Sequence, residues 1–119
     1  MSISSDNCDI TWNQNPIDMT MDTESGIWEG ANESTGDFMT THIDWSVWCD
    51  CDNSTYYLKL EGTLDNGYGD PFSCGPVSAT SVDCNESTFE LVFDVTCEGC
   101  NLTLTLTPKT GASWNPYCA

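Results

Sequence analysis

Residues Phe89 to Pro108 read Phe-Glu-Leu-Val-Phe-Asp-Val-Thr, then Cys-Glu-Gly-Cys, then Asn-Leu-Thr-Leu-Thr-Leu-Thr-Pro. Phe89, Leu91, Phe93 and Val95 alternate with more polar residues, and so do Leu102, Leu104 and Leu106. Period two is the signature of a half-buried strand. A two-residue turn at Glu98-Gly99 sets Val95 opposite Leu102, Phe93 opposite Leu104 and Leu91 opposite Leu106. Every apolar side chain then shares one face, and Asp94, Thr96, Asn101, Thr103 and Thr105 share the other. A one-residue slip would expose the whole apolar set, so the pattern fixes the register. Burying each large apolar side chain contributes roughly 1.5–3 kcal/mol, which requires this hairpin to lie on a core.

The rest of the chain repeats the theme in shorter pieces. Met1–Asn7 reads as a polar lead. Cys8, Ile10 and Trp12 alternate as a first strand, which Asn15-Pro16 ends. Ile17, Met19 and Met21 form a second, and Gly26 to Gly30 bracket a third. Asn32–Asp37 reads as a polar loop. Thr41, Ile43, Trp45, Val47 and Cys49 give one long strand, and Tyr56–Glu61 another. Asp65-Asn66-Gly67 is a turn signal. Phe72–Asn85 reads as irregular, and Thr110–Ala119 as a tail. Seven or eight strands with closely spaced turns, and no sustained helical periodicity, predict an all-β antiparallel sandwich or jelly roll over residues 1–119.

Composition bounds the partners. The chain has 119 residues and a formal net charge of −17, with Lys59 and Lys109 the only strong cations. Nucleic acid is excluded, because nothing neutralises its phosphates. No apolar run is long enough to cross a bilayer, and membrane insertion is not expected. No charged-then-apolar leader opens the sequence, so a signal peptide is expected to be absent or removed.

Eight cysteines in so short a chain point to an oxidising, extracellular compartment. Proximity along the chain suggests Cys74 with Cys84, and Cys97 with Cys100 across the tight turn. Cys8, Cys49, Cys51 and Cys118 are left to form two more bridges. A zinc site from Cys49, Cys51, Cys97 and Cys100 is the sharper alternative, and secreted cysteine-rich chains favour oxidation over it. A redox Cys97-x-x-Cys100 is disfavoured, because it lies in a hairpin and not at a helix start.

Asn32, Asn53, Asn85 and Asn101 each open an Asn-x-Ser/Thr sequon. The first three fall in expected loops and Asn101 on the solvent face of its strand, so glycan is expected at one or more of the four. Asp50 with Asp52, or Asp65 with Asp70, offers oxygen ligands suited to Ca²⁺, but neither matches the EF-hand loop and no cofactor is expected. No carboxylate pair stands out as an acid and base. His42, the only histidine, has no nucleophile partner that spacing identifies. Trp12 and Trp45 fall on apolar faces. Trp48 falls opposite, beside His42 and Asp44, and Trp28, Tyr68 and Trp114 lie near glycines or turns.

Three function classes compete. A hydrolase lacks a constellation, so an enzyme is not expected. A secreted carbohydrate-binding module would use exposed aromatics. A structural subunit would use sheet edges, disulfides and surface sugar. The Cys97–Pro108 segment, with its terminal sequon strand, and the four sequons resemble small disulfide-rich subunits of glycosylated extracellular fibrils. They resemble more loosely the pilins that assemble by strand addition. The resemblance implies a self-assembling surface fibre whose partners are copies of the same chain and covalent glycans. Its expected contacts are the outer edge of the Leu102, Leu104 and Leu106 strand, with Trp114 and Tyr117 of the tail anchoring in a neighbour. Eight cysteines and a short lead before Cys8 depart from the pilin pattern and argue against N-terminal strand donation.

Overall fold

The computed structural model describes residues 1–50, 52–53, 55–84 and 89–107. Among these there are eleven strands and no helix. The hairpin forms as its periodicity requires. Strands β10 (Phe89–Cys97) and β11 (Cys100–Leu106) pair with Val95 opposite Leu102, Phe93 opposite Leu104 and Leu91 opposite Leu106. Glu98 and Gly99 both adopt positive φ, 52° and 80°. That is the twist a two-residue hairpin turn needs, and glycine supplies half of it without strain. All six of those paired apolar side chains are buried.

The N-terminal segment is not a lead. Ser2–Ser5 is strand β1, antiparallel to β11 with Ser2 opposite Thr105 and Ser5 opposite Leu102. Met1 and Ile3 are buried beneath it. The outer edge of β11, expected to be open, is therefore covered. The outer side of β1 is occupied in turn. Asn15 donates from Nδ2 to the Ile3 carbonyl (2.9 Å) and accepts from the Ile3 N–H (3.0 Å). Ile17 exchanges two 2.7 Å bonds with the Met1 backbone.

Strand β9 (Ser81–Cys84) completes this sheet, whose order is β1-β11-β10-β9. The second sheet contains β3 (Thr20–Met21), β4 (Trp28–Asn32), β6 (Thr40–Asp50), β7 (Thr55–Leu64) and β8 (Pro71–Ser78), in that order. A small ladder joins β2 (Ile10–Trp12) to β5 (Ser34–Gly36), where a loop was expected. The two larger sheets turn their apolar faces to one core, in a sandwich-like arrangement. Strands adjacent in each sheet are mostly adjacent in sequence, an order that lends no support to jelly-roll connectivity.

Two departures have local causes. A bulge at Thr41 inserts one residue between Thr40 and His42. It turns Thr40 inward and Thr41 out, so the expected alternation holds only from Ile43 onward. Gly62 permits this, because a Cβ there would overlap the His42 carbonyl oxygen. The stretch expected to be irregular, Phe72–Asn85, contains β8 and β9. Pro71, Gly75 and Pro76 disguise β8, but it is an edge strand, where proline breaks no ladder. Ala79 and Thr80 then carry the chain to the other sheet, donating to the Tyr56 and Val92 carbonyls.

The face assignment makes a testable contrast. Phe93→Ala removes a fully buried ring and is expected to cost about 3–5 kcal/mol. Thr103→Ala, on the opposite face of the same hairpin, loses one exposed hydroxyl bond to Asp94 and is expected to cost under about 1 kcal/mol. Urea unfolding of both variants with disulfides intact checks this, and equal costs would refute the assignment.

Candidate functional site

The cysteines are paired across the fold and not along the chain. Cys8 bonds Cys100, and Cys74 bonds Cys97, each with Cα atoms 5.6 Å apart. The expected Cys97–Cys100 and Cys74–Cys84 bridges are therefore wrong. Cys97 and Cys100 do face each other across the ladder. In the hydrogen-bonded pair that closes a two-residue turn, however, Cβ atoms stand about 5.5 Å apart, and a disulfide requires about 3.8 Å. Both side chains point into the core, where each meets a sulfur from another segment. One bond joins the sheets through β8 and β10. The other fixes the chain after β1 to β11. In the chain-entropy picture, spans of 92 and 23 residues make such bonds stabilising by about 3–5 kcal/mol each. The zinc set that needed Cys97 and Cys100 is not assembled. Cys49 is half-buried at the end of β6, and Cys84 ends β9. Cys51 and Cys118 lie outside the described residues.

The four sequons separate by burial. Asn32 is only 5% exposed, at the end of β4 and not in a polar loop. Its Oδ1 accepts from the Trp45 indole N–H at 2.7 Å, and its Nδ2 donates to the Gln14 carbonyl at 3.2 Å. This side chain satisfies the one polar atom of the largest buried ring, and it leaves no room for sugar in the fold. Asn101 is exposed, accepting at Oδ1 from the Thr96 hydroxyl. Asn53 is exposed too, donating to Asp50 across the β6–β7 turn. Asn85 lies outside the described residues.

The expected assembly residues Leu102, Leu104 and Leu106 are spent in the chain's own core, and β1 pairs along their strand. Trp114, Tyr117 and the tail lie outside the described residues. Two apolar side chains are exposed with no sign of it in the sequence, Met39 at 44% and Val82 on β9 at 48%. The register of Val82 opposite Leu91 sets it on the core side of the outermost strand. One valine in a stretch read as irregular gave no periodic signal.

His42 is exposed and bonded to the Asp44 carboxylate at 2.7 Å, on the outer face of the five-stranded sheet. Lys59 and Glu61 pair on the same face at 3.4 Å. Trp48 stacks on Tyr57 there, ring centroids 5.9 Å apart. Trp45 is buried as expected, and Trp12 packs edge-on against it at 6.2 Å. Asp70 accepts from the Asn66 amide within the turn that presents Tyr68, 88% exposed. Among the described residues no three of His, Cys, Asp and Glu gather as a metal site.

Asn32→Ala strands the buried Trp45 N–H and is expected to destabilise the protein by about 1–3 kcal/mol, measured by urea unfolding. Glycopeptide mapping of native material is expected to find sugar at Asn53 or Asn101 and a bare Asn32, and glycan on Asn32 in folded protein would refute this packing. No protein-family model, curated protein or solved structure matches the chain.

Proposed function

We propose that this chain is a structural subunit of a self-assembling, glycosylated extracellular fibre, in which each copy adds to the next through the outer edge of β9. The observation that carries the reading is Val82, an apolar side chain 48% exposed on the core side of an outermost strand. The other lateral strands of the two larger sheets are guarded. Met1 and, on β1, Ile3 bond to Ile17 and Asn15, β8 carries two prolines, and β3 is two residues long. Strand β9, Ser-Val-Asp-Cys, carries neither proline nor lysine, the residues that most often block edge pairing. Two disulfides bracing a small β domain fit an extracellular location. The exposed sequons fit a glycan coat.

Strand addition suits a chain this acidic. Copies at −17 repel, but salt screens that repulsion beyond about 8–10 Å. Backbone hydrogen bonds and the covering of Val82 act well inside that range. The contact must be heterologous. Two β9 edges meeting each other would close a two-fold dimer, whereas β9 against a different surface of the next copy runs on as a filament. A sugar-binding role through Trp48 is less well supported, because Tyr57 occupies one face of that ring.

Negative-stain microscopy of native material is expected to show filaments. Val82→Lys, which adds a charge at the edge without touching the buried core, is expected to leave a folded monomer that no longer assembles. Monodisperse single particles or two-fold dimers in the unsubstituted protein, or filaments that survive Val82→Lys, would overturn the proposal.

A further inference from the structure

Beside the small ladder of β2 and β5, where β6 begins, the surface opens into a polar groove of about 330 Å³. Its floor is Ser34 and Thr40, 1% and 4% exposed, whose hydroxyls bond each other at 2.9 Å. The bulge at Thr41 brings that side chain to the same groove. Thr11 and Thr35, direct cross-strand partners, form one wall. Glu33 and Asp65 add two carboxylates, and Asn13 adds an amide. Asn13 also braces the ladder, its Oδ1 accepting from the Glu33 N–H at 2.8 Å.

We propose that this groove binds a neutral saccharide, with Tyr68 as the aromatic surface beside it. The side chains of Thr11, Glu33, Thr35 and Asp65 make no hydrogen bond or ion pair with the described residues. Such groups bond water, and a ligand's hydroxyls can take its place. A carboxylate only accepts, so the ligand must donate. Threonine hydroxyls both donate and accept, which a sugar hydroxyl matches and an ammonium, a donor only, does not. Two carboxylates and a net charge of −17 turn away anionic ligands. The volume lies at the lower end of small-ligand clefts, which run from roughly 300 to 1,000 Å³.

Tyr68 supplies the apolar surface that the groove lacks. The C–H face of a sugar ring packs on the negative face of an aromatic ring. Tyr68 is 88% exposed, in the turn that leaves the groove at Asp65. That turn is pinned. The Asp65 N–H donates to the Met39 carbonyl at 3.0 Å. Asn66 Oδ1 accepts from the Tyr68 and Gly69 N–H groups at 3.0 and 3.1 Å, and its Nδ2 donates to Asp70 at 2.8 Å. A second groove, of about 460 Å³, lies on the outer face of the five-stranded sheet and contains His42, Asp44 and Glu61. Its charged groups are already engaged, His42 with Asp44 and Glu61 with Lys59, so it is the weaker candidate. The proposal does not depend on self-assembly, and it leaves β9 as the contact between copies.

Calorimetric titration of the full-length oxidised protein with cellohexaose, mannohexaose and chitohexaose tests the site. At least one is expected to bind, with an affinity that a roughly tenfold rise in salt leaves unchanged, because an uncharged ligand is not screened. Tyr68→Ala, Glu33→Ala and Asp65→Ala all change exposed side chains and spare the core. Each is expected to weaken binding about tenfold, and Glu61→Ala, in the other groove, to leave it unchanged. Titration before and after enzymatic deglycosylation separates two sources of the sugar. Equal affinity marks a saccharide from outside, weaker affinity before the treatment marks a glycan of this chain already in the groove, and both support the site. No binding of any hexaose would overturn the proposal. So would binding that survives Tyr68→Ala and Glu33→Ala, or that Glu61→Ala weakens as much.

Discussion

The hairpin of β10 and β11 can pair in one register only, and the rest of the molecule is fitted to it. Its turn needs two residues at positive φ, which Glu98 and Gly99 supply. From there six apolar side chains project to one face in pairs. The five-stranded sheet covers that face with Ile43, Trp45, Val47, Leu58 and Leu60, all buried. A shift of one residue would turn the hairpin's face to water and leave the opposing sheet uncovered. It would also move Cys97 and Cys100 away from the sulfurs they meet. Hydrophobic pattern, turn chemistry and cross-links thus specify one alignment, the mutual agreement that marks a well-determined fold.

The polar interior is correspondingly sparse. Among the described residues Trp45 is the largest fully buried side chain, and its indole nitrogen must find a partner there. Asn32 is that partner, and Gln14 satisfies the amide's other end. Nearby, the Ser34 hydroxyl donates to the Phe38 carbonyl, and the Ser34 N–H is held by the Thr40 hydroxyl. Each buried polar side chain here faces a named acceptor or donor, so the core carries few polar atoms and binds those it has. The same residues bring β2, β4, β5 and β6 together at one corner.

How much of this was legible in the sequence depends on range. The hairpin was, because its period is unbroken over sixteen paired and turn positions and its turn is signalled locally. The long strand β6 was, apart from its first residues, where the Thr41 bulge shifts the alternation and only the partner strand reveals it. Strand β1 was not. Four residues with Ile3 as their one apolar member give no period, and the strand exists because β11 offers an edge about 100 residues away. Disulfide pairing was not legible either, since chain proximity favoured Cys97 with Cys100 while side-chain direction forbids it. The Asn32 sequon misled for the same reason. A three-residue motif says nothing of a tryptophan thirteen positions on that buries the asparagine. The exposed apolar residue proposed as the assembly contact, Val82, lay inside a stretch that proline and glycine made unreadable.

The covalent link between Cys8 and Cys100 also decides how the domain bears load. The antiparallel register places Ser2 beside Thr105 and Ser5 beside Leu102. A pull that enters before Ser2 and leaves after Leu106 therefore opens the ladder from one end, like a zipper, with each rung yielding in turn. At the cysteines the opening stops. Beyond that point tension runs from one side of the bond to the other, and the 92-residue span between them is off the line of force. The five-stranded sheet, β9 and β10 then ride slack beside a short tether of β1, the bond and β11, whose ultimate strength is that of covalent bonds and owes nothing to the stability of the fold.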